Sequence, residues 1–394
     1  MMRDMFNNTY EAFGHRSDKE LKQLVWLFRL LSNKWISSVG IMIMKSFGHL
    51  QLSVVQRLQR WLFKPFYAGT TLQESEPTVA QLSNYDVFSY LNYAIEYSWD
   101  EKEFDKNSQI VQKLLLHAAS AKNVPFSVCK ATSFGHKHLF QKINAQQPLT
   151  DDEKHTLERI VNRFRECCKV AKAHDVGLLI DAEEYNMQFA VDQIVMDLMK
   201  EFNTSKAVVY NTIQLYLVDG NDRLQQMHSR ATTESFHLGL KLVRGAYMQK
   251  ERKRAQKLGL PSPICETKSD TDANFNQAVA YCLDHLSNIS ILLGSHNEYS
   301  MILATEIMKK NKIKSWDERV WFSQLLGMSD HITFILAKKG YNVVKFVPFG
   351  PLEKLVPYLT RRAEENTAIT GQTSRELALL QKEIKRRSTV AKAL

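Results

Sequence analysis

The sequence predicts an α/β fold in which eight strands alternate with helices and close into a (βα)8 barrel. From Asp86 onward, short apolar runs rich in β-branched or aromatic residues alternate with amphipathic stretches, which implies parallel strands joined by helical crossovers. A doubly wound open sheet uses the same alternation. The ends of the runs favour the barrel, because seven of the eight carry a polar or charged residue, as expected where catalytic groups face one mouth.

The part of the chain before the barrel is predicted to be a helical arm, residues 1–65. Its apolar stripe consists of Leu24, Trp26, Leu27, Leu30 and Leu31. The apolar stretch Trp35–Met44 is far shorter than the ~20 residues that a membrane-spanning helix needs. We place the barrel at residues 66–387 and a C-terminal tail at residues 388–394.

Eight strands are predicted in chain order. They are Asp86–Tyr97, Val124–Thr132, Val176–Asp181, Ala207–Leu217, Leu238–Ala246, Ile289–Ser295, Val320–Leu325 and Asn342–Pro348. The residues at their C-terminal ends are Glu96, Lys130, Asp181, Gln214, Arg244, His296, Gln324 and Phe346.

The clearest of the intervening helices runs from Asp151 to His174. Thr150 and Glu153 have the spacing of a capping box at its start. The other predicted helices are Asn186–Phe202, Asp222–Phe236, Asp272–Leu286, Glu298–Lys310, Ser329–Lys339 and Glu353–Thr367.

The chain is basic, with 52 Lys and Arg against 42 Asp and Glu and a formal net charge of +10. This surplus suggests an anionic partner such as a lipid surface or an acidic substrate. No basic run is interleaved with aromatic residues, so nucleic acid is not expected as a partner. The densest basic stretch, Lys382–Arg387, is interpreted as a solvated helix end, with a membrane patch as the alternative.

The five cysteines are odd in number and lack CxxC spacing. This argues against a disulfide framework or a zinc site and for a reducing compartment. Met1–Glu20 is polar and carries acids, so we expect no signal peptide.

The C-terminal segment contains a candidate anion clamp. Tyr358, Arg361, Arg362 and Glu365 fall at offsets of 0, 3, 4 and 7 and share one helix face. Adjacent guanidinium groups match a carboxylate bidentately. On spacing alone, a solvated basic face in which Glu365 pairs with an arginine is the more frequent arrangement.

Two charged residues end apolar strands. Lys130 suits the binding of a carboxylate, a Schiff base or simple exposure to solvent, and the sequence does not choose among these. Asp181 closes an apolar run, so we expect it to pair with Lys130, Arg361 or Arg362, because burying a lone carboxylate is costly. Glu183 and Glu184 suit the start of the next helix better than Asp181 does.

Two further patterns mark the mouth. Lys241 and Arg244 are followed by the small residues Gly245 and Ala246, which would let a flat ligand approach the backbone. Ser295-His296-Asn297 ends the sixth strand with hydrogen-bonding side chains. No second histidine lies at ligand spacing from His296, so no metal site is predicted.

Six motifs in this chain resemble those of the proline dehydrogenase family, in the same order. They are IDAEE (Ile180–Glu184), NTIQLYL (Asn211–Leu217), KLVRGAYMQKER (Lys241–Arg252), GSHNE (Gly294–Glu298), FSQLLGMSDHI (Phe322–Ile332) and KFVPFGP with PYLTRRAEEN (Lys345–Asn366). The resemblance extends over Phe66–Arg387. Within the family, the chain is similar to the stand-alone bacterial type.

This resemblance implies a distorted (βα)8 barrel with a final helix over its mouth and FAD as cofactor. It implies oxidation of L-proline to Δ1-pyrroline-5-carboxylate by hydride transfer to flavin N5, with a membrane quinone as electron acceptor. The implied location is the cytoplasm, with peripheral contact to an anionic inner membrane as an addition.

The resemblance also assigns roles to single residues. Asp181 and Lys241 are the implied catalytic residues, Lys241 lying where many relatives place an arginine near flavin N5 and Asp181 holding the clamp and Lys130 in place. The implied proline-binding residues are Lys130, Phe346, Tyr358, Arg361 and Arg362. The implied FAD-binding residues are Ala182, Gln214, Arg244, Gly245, Ala246, Ser295 and His296.

The chain departs from the family pattern at several positions. Phe346 replaces a tyrosine at the end of the eighth strand, and relatives that act on hydroxyproline also vary here. Hydroxyproline dehydrogenase is therefore the close alternative. A Schiff-base aldolase using Lys130 and an inactive anion-binding barrel are the distant ones.

Overall fold

Eight parallel strands form a closed barrel in chain order in the computed structural model of this protein, which confirms the predicted fold class. The structure describes residues 4–32, 61, 63–94, 100–351, 355 and 372–393. Two compact units make up the chain, residues 89–323 and residues 1–88 with 324–394. The predicted helix Glu353–Thr367, expected over the mouth, lies outside the described residues except for Leu355.

The strands occur where the apolar runs predict them. Their bounds are β1 Phe88–Tyr93, β2 Phe126–Lys130, β3 Gly177–Asp181, β4 Val209–Gln214, β5 Leu238–Val243, β6 Ile289–Gly294, β7 Val320–Leu325 and β8 Val343–Phe349. Six of them are shorter than predicted, while β7 has the predicted bounds and β8 is shifted by one residue. Leu217, for example, belongs to an isolated antiparallel bridge with Ile264 instead of β4.

Thirteen helices lie in the described part of the chain. They are α1 Thr9–Phe13, α2 Asp18–Ser32, α3 Leu72–Ser83, α4 Glu101–Ser120, α5 Lys137–Asn144, α6 Asp151–His174, α7 Tyr185–Phe202, α8 Gly220–Thr233, α9 Met248–Leu258, α10 Lys268–Asp284, α11 Glu298–Lys310, α12 Asp330–Lys338 and α13 Gln372–Ala393. Within those residues, no helix is long and apolar enough to cross a membrane.

Capping boxes set two of the helix starts. The predicted capping box of α6 is confirmed, because the Glu153 N–H donates to Thr150 Oγ1 and the Thr150 N–H donates to Glu153 Oε2. A second box, Thr267 with Asp270, starts α10 four residues before the predicted Asp272. The sequence pattern missed this start because the third helical residue is Asp, which is less usual in this motif than Glu or Gln.

The apolar stripe predicted for the helical arm is only partly right. Leu24 and Leu27 are buried, but the Trp26 side chain is 45% exposed. Residues two apart on a helix face opposite sides, so Trp26 cannot share the buried face with Leu24.

In the unit formed by residues 1–88 and 324–394, a buried carboxylate at the start of α12 joins three elements. Asp330 accepts a hydrogen bond from Arg16 Nε at 2.8 Å and lies 3.0 Å from Lys345 Nζ on β8. Burial raises the pKa of Asp330, but Arg16 and Lys345 outweigh it and hold this pKa well below its ordinary value. These contacts tie the helical arm to α12 and β8.

Candidate active site

An ion pair inside the barrel forms the centre of the site in residues 89–323. Lys241 on β5 donates from Nζ to Oδ1 of Asp181, at the C-terminal end of β3, over 2.6 Å. The lysine side chain is 8% exposed and the aspartate side chain 18%. Asp181 is thus paired with a cation, as expected, but among the described residues this cation is Lys241 and not Lys130, and Arg361 and Arg362 lie outside the described residues.

The environment of Lys241 keeps its ammonium charged. Burial lowers the pKa of Lys241, but attraction to Asp181 and the contact with Tyr90 raise it by more, so the pKa lies above its ordinary value. A cation on this strand is therefore present throughout the physiological pH range.

Lys130 lies directly opposite Asp181 in the parallel register of β2 and β3. Its side chain is partly exposed and makes no ion pair or hydrogen bond with any described residue. An ammonium group in this position suits a ligand carboxylate, because it supplies charge next to an acid that is already paired with Lys241.

Arg244, one residue beyond β5, connects three elements around the mouth. Its Nε donates to Asp272 Oδ1 on α10 at 2.7 Å, Nη1 to Ser295 Oγ at 2.7 Å and Nη2 to Ser300 Oγ on α11 at 2.9 Å. The guanidinium also lies 4.4 Å from the ring centroid of Phe275. Three of its five N–H groups are used, so two remain for a ligand.

Gly245 adopts φ +131°, which an L side chain rarely adopts. A Cβ atom here would lie 2.5 Å from the Tyr216 ring. The structure thus gives this glycine a packing reason in addition to the predicted approach of a flat ligand. Ala246, the next residue, is partly exposed.

The loops after β2 and β3 are joined by Glu183. Its carboxylate accepts hydrogen bonds from the N–H and the hydroxyl of Thr132, at 3.0 and 2.9 Å. Its backbone carbonyl accepts a hydrogen bond from Nε2 of the buried Gln214 at 2.8 Å. Ala182, between Asp181 and Glu183, is partly exposed, so the loop is fixed on both sides while this residue faces outward in part.

Ser295 and His296 follow β6 immediately. Ser295 is buried, and its hydroxyl accepts hydrogen bonds from Arg244 and from the N–H of Asn297. His296 is partly exposed. The structure therefore brings together Lys130, Asp181, Gln214, Lys241, Arg244 and Ser295 at the C-terminal ends of five neighbouring strands.

The remaining predicted substrate residues are in the other unit or outside the described residues. Phe346 lies in the middle of β8, three residues before its end, and is 6% exposed. Tyr358, Arg361 and Arg362 lie outside the described residues, as does the strand-end residue Glu96. The described residues contain no group of three or more His, Cys, Asp or Glu that suits a metal ion.

Sequence reasoning missed two residues that contact this centre or its partners. Tyr90 on β1 interacts with Lys241, and its hydroxyl lies 3.2 Å from Ser323 Oγ on β7. Both are polar residues at buried positions of their strands. The alternation of inward and outward positions along each strand could have indicated them.

Comparisons with known proteins show what this chain is similar to. The family model described as "Proline dehydrogenase" matches residues 75–375. The chain is 35% identical over 322 residues to a carbapenem antibiotics biosynthesis protein, CarD, of Pectobacterium carotovorum, covering 82% of this chain and 83% of that one. It is 29% identical over 426 residues to mitochondrial proline dehydrogenase 1 of Dictyostelium discoideum, covering 96% of this chain and 74% of the relative.

A solved structure shares the fold. Proline utilization A (PutA) of Bdellovibrio bacteriovorus, inactivated by N-propargylglycine, superposes with a TM-score of 0.76 at 19% identity. The match covers 94% of this chain and 42% of that longer protein. At this identity the likeness bears on the fold alone.

Proposed function

Because the chain belongs to the proline dehydrogenase family, we propose that it oxidises L-proline to Δ1-pyrroline-5-carboxylate with FAD as the cofactor. The observation that carries the proposal is the buried pair of Lys241 with Asp181 and the ammonium of Lys130 opposite it. A small amino acid with a carboxylate fits a mouth that presents cations beside one neutralised acid. We also propose that residues 66–387 form the catalytic barrel, preceded by the helical arm and followed by a C-terminal tail.

The residues at the strand ends fit a flavin. The buried Thr212 Oγ1 has no hydrogen-bond partner among the described residues, and Thr212 is paired in register with Lys241. Arg244 has two N–H groups left over. A flavin ring offers oxygen and nitrogen acceptors for such donors, and we assign its binding to Ala182, Gln214, Arg244, Gly245, Ala246, Ser295 and His296.

Bound FAD would supply the hydride acceptor at N5. The protein's own residues then bind and orient the substrate. Lys130 holds the proline carboxylate, together with Arg361 and Arg362 by family resemblance. Asp181 keeps Lys241 in place, and Lys241 supplies a fixed positive charge near the reacting atoms.

A membrane quinone is the proposed electron acceptor, and one surface of this chain suits contact with an anionic bilayer. The basic stretch Lys382–Arg387 is engaged internally, since Arg386 and Arg387 both pair with Glu383. By contrast, Lys253 and Lys257 on α9 are exposed and pair with no described residue. Leu258 and Leu260 beside them are more than half exposed.

Co-sedimentation with vesicles tests this contact. We expect binding to vesicles that contain anionic lipid, weaker binding to zwitterionic vesicles, and loss of binding in a Lys253→Glu, Lys257→Glu double variant. Equal binding of the double variant would remove α9 from the proposal.

The visible spectrum of the purified protein tests the main proposal. We expect flavin bands that bleach when L-proline is added without oxygen. Protein that binds no flavin even after reconstitution would overturn the function. Covalent trapping of a carbonyl substrate on Lys130 by borohydride would then favour the aldolase, and a colourless protein without this reaction would favour an inactive barrel.

Hydroxyproline is a second candidate substrate, favoured by Phe346 at a position where the family pattern has tyrosine. By family resemblance, phenylalanine at this position removes a hydroxyl beside the substrate ring. Turnover of L-proline and of trans-4-hydroxyproline, compared at equal concentration, separates the two. Bleaching of the flavin by hydroxyproline alone would keep the mechanism and change the substrate.

A further inference from the structure

Four polar side chains from alternate strands form one group inside the barrel. They are Tyr90 on β1, Asp181 on β3, Lys241 on β5 and Ser323 on β7. Layers built from every second strand are the usual way in which such barrels fill their interior, but bulky apolar residues normally supply them. We propose that Tyr90 and Ser323 are positioning residues, which hold the Lys241 ammonium against Asp181 at the floor of the active site.

The contacts form a chain across the barrel. Lys241 donates to Asp181 at 2.6 Å and is also hydrogen-bonded to the hydroxyl of Tyr90. An ammonium group can only donate, so the Tyr90 oxygen accepts from it and keeps its own proton to donate. Ser323 Oγ, 3.2 Å from the Tyr90 oxygen, is the acceptor in reach.

The hydroxyl of Tyr90 matters more to Lys241 than its ring does. Lys241 Nζ lies 5.4 Å from the ring centroid, close to the ~6 Å limit for a cation–π contact. An ammonium group hydrogen-bonded to the phenolic oxygen lies beyond the edge of the ring and not over its face. The positioning effect is therefore removed by Tyr90→Phe, which keeps the ring.

Burial makes each of these contacts necessary. Tyr90, Lys241 and Ser323 are 2%, 6% and 3% exposed. A buried ammonium group needs several acceptors, since water does not replace a lost one. Burial raises the pKa of Tyr90, so this residue remains a neutral phenol beside the cation.

Few other groups act on Lys241. Asp181 from β3 and Tyr90 from β1 are the titratable groups that affect its pKa. On the two strands paired with β5, the residues in register with Lys241 are Thr212 and Leu292, neither of which titrates. Loss of the Tyr90 hydroxyl therefore acts directly on Lys241.

The test compares Tyr90→Phe with a matched control, Tyr210→Phe. Tyr210 on β4 is equally buried and its hydroxyl is hydrogen-bonded to Ser290, but neither residue affects Lys241. The measurements are the absorbance spectrum of bound FAD against pH without substrate, and kcat and KM for proline against pH.

At high pH both profiles are expected to show an inflection where Lys241 loses its proton. We expect Tyr90→Phe to move this inflection downward by about one pH unit, because the variant lacks one hydrogen bond to the charged form of Lys241. We expect kcat to fall about tenfold with a smaller change in KM. Tyr210→Phe leaves both profiles unchanged. Coinciding profiles for the wild type, Tyr90→Phe and Tyr210→Phe would overturn the inference.

Ser323→Ala covers the case in which Tyr90→Phe does not fold. It keeps the phenol but removes its acceptor, so we expect a smaller displacement of the inflection in the same direction, and no displacement would contradict the proposal. The inference rests on the proposed function only for the kinetic readout. If the protein binds no flavin, that function fails, while the thermal midpoint of the flavin-free variants at pH 8–11 still tests whether Tyr90 holds Lys241.

Discussion

Lys241 carries a full positive charge inside the barrel, and Asp181 is the carboxylate that balances it. Removing either partner leaves the other buried without compensation, which costs more free energy than the pair itself contributes. At the scale of single residues, the site therefore has little tolerance for substitution at these two positions.

Asp181→Asn is expected to lower the free energy of unfolding by about 3 kcal/mol, near the low end for breaking a buried pair, because Asn keeps an oxygen acceptor. Proline oxidation is expected to fall strongly in the same variant. Urea unfolding at pH 7 measures the first effect. Asp151→Asn is the control, since Asp151 pairs with Lys154 on the surface and its loss is expected to change stability by less than about 1 kcal/mol.

Gly245→Ala is expected to destabilise the protein and to weaken FAD retention. The new Cβ would lie 2.5 Å from the Tyr216 ring at φ +131°. Gly259→Ala is the matched control, because Gly259 also has positive φ (+64°) but no atom within 4 Å of its Cβ position. We expect the control to lower the free energy of unfolding by about 1 kcal/mol. Gly245→Ala is expected to lower it by at least twice as much, as measured by thermal unfolding. Equal costs would mean that the Tyr216 ring moves aside freely.

At the scale of elements, the C-terminal helix α13 is held by a buried carboxyl group. Glu376 accepts a hydrogen bond at 2.7 Å from the N–H of Ser329, which precedes α12 in the left-handed conformation. Burial raises the pKa of Glu376 to about 7, against the opposing effects of His331, Lys345 and the Ser329 N–H. The docking of α13 is therefore sensitive to pH near neutrality.

Folding favours the protonated form of Glu376, and this decides the direction in which stability depends on pH. A carboxyl group with a raised pKa contributes stability that is complete below its ordinary value of 4.5 and is lost as the pH rises through about 7. Glu376→Gln resembles the protonated form and keeps an acceptor for Ser329. We expect the variant to exceed the wild type in thermal midpoint at pH 8.5 and to match it at pH 5.

Asp330 shows the opposite dependence within the same unit. Its pKa is held well below 3.8, so its contribution is present above that pH and is lost only in strong acid. The difference in thermal midpoint between the wild type and Glu376→Gln, followed from pH 5 to 8.5, therefore reports the titration of Glu376 and not that of Asp330. A difference that does not change over this range would contradict the assignment.

At the scale of the whole molecule, all five cysteines are free and buried. Burial raises the pKa of the Cys167 thiol to about 12, and it also raises the pKa values of Cys129, Cys168 and Cys282. Thiols in this state react slowly, because the thiolate is the nucleophile.

We expect fewer than one thiol to react with a disulfide reagent within minutes in the native protein, and five to react after denaturation. The thermal midpoint is expected to be the same with and without reductant. Rapid reaction of a native thiol would show that the barrel opens locally on that time scale.

The sequence by itself determined the elements of this protein and the end of the barrel that carries the polar groups. The strand β7 and the helices α6 and α11 have the predicted bounds, and the capping box at Thr150 is present, because such features depend on residues within a few positions of each other. The positions of Lys130, Asp181 and Gln214 at strand ends follow from the same local patterns.

Only the tertiary structure decided which of these groups meet. Asp181 pairs with Lys241, 60 residues away, and Tyr90 reaches Ser323, 233 residues away. Such partners depend on strand order and on register, which a local pattern does not contain, since a shift by one residue would turn each side chain to the other face. The role of Gly245 beside Tyr216 was hidden for the same reason: the constraint comes from a ring on a neighbouring segment and not from the glycine's own surroundings in the sequence.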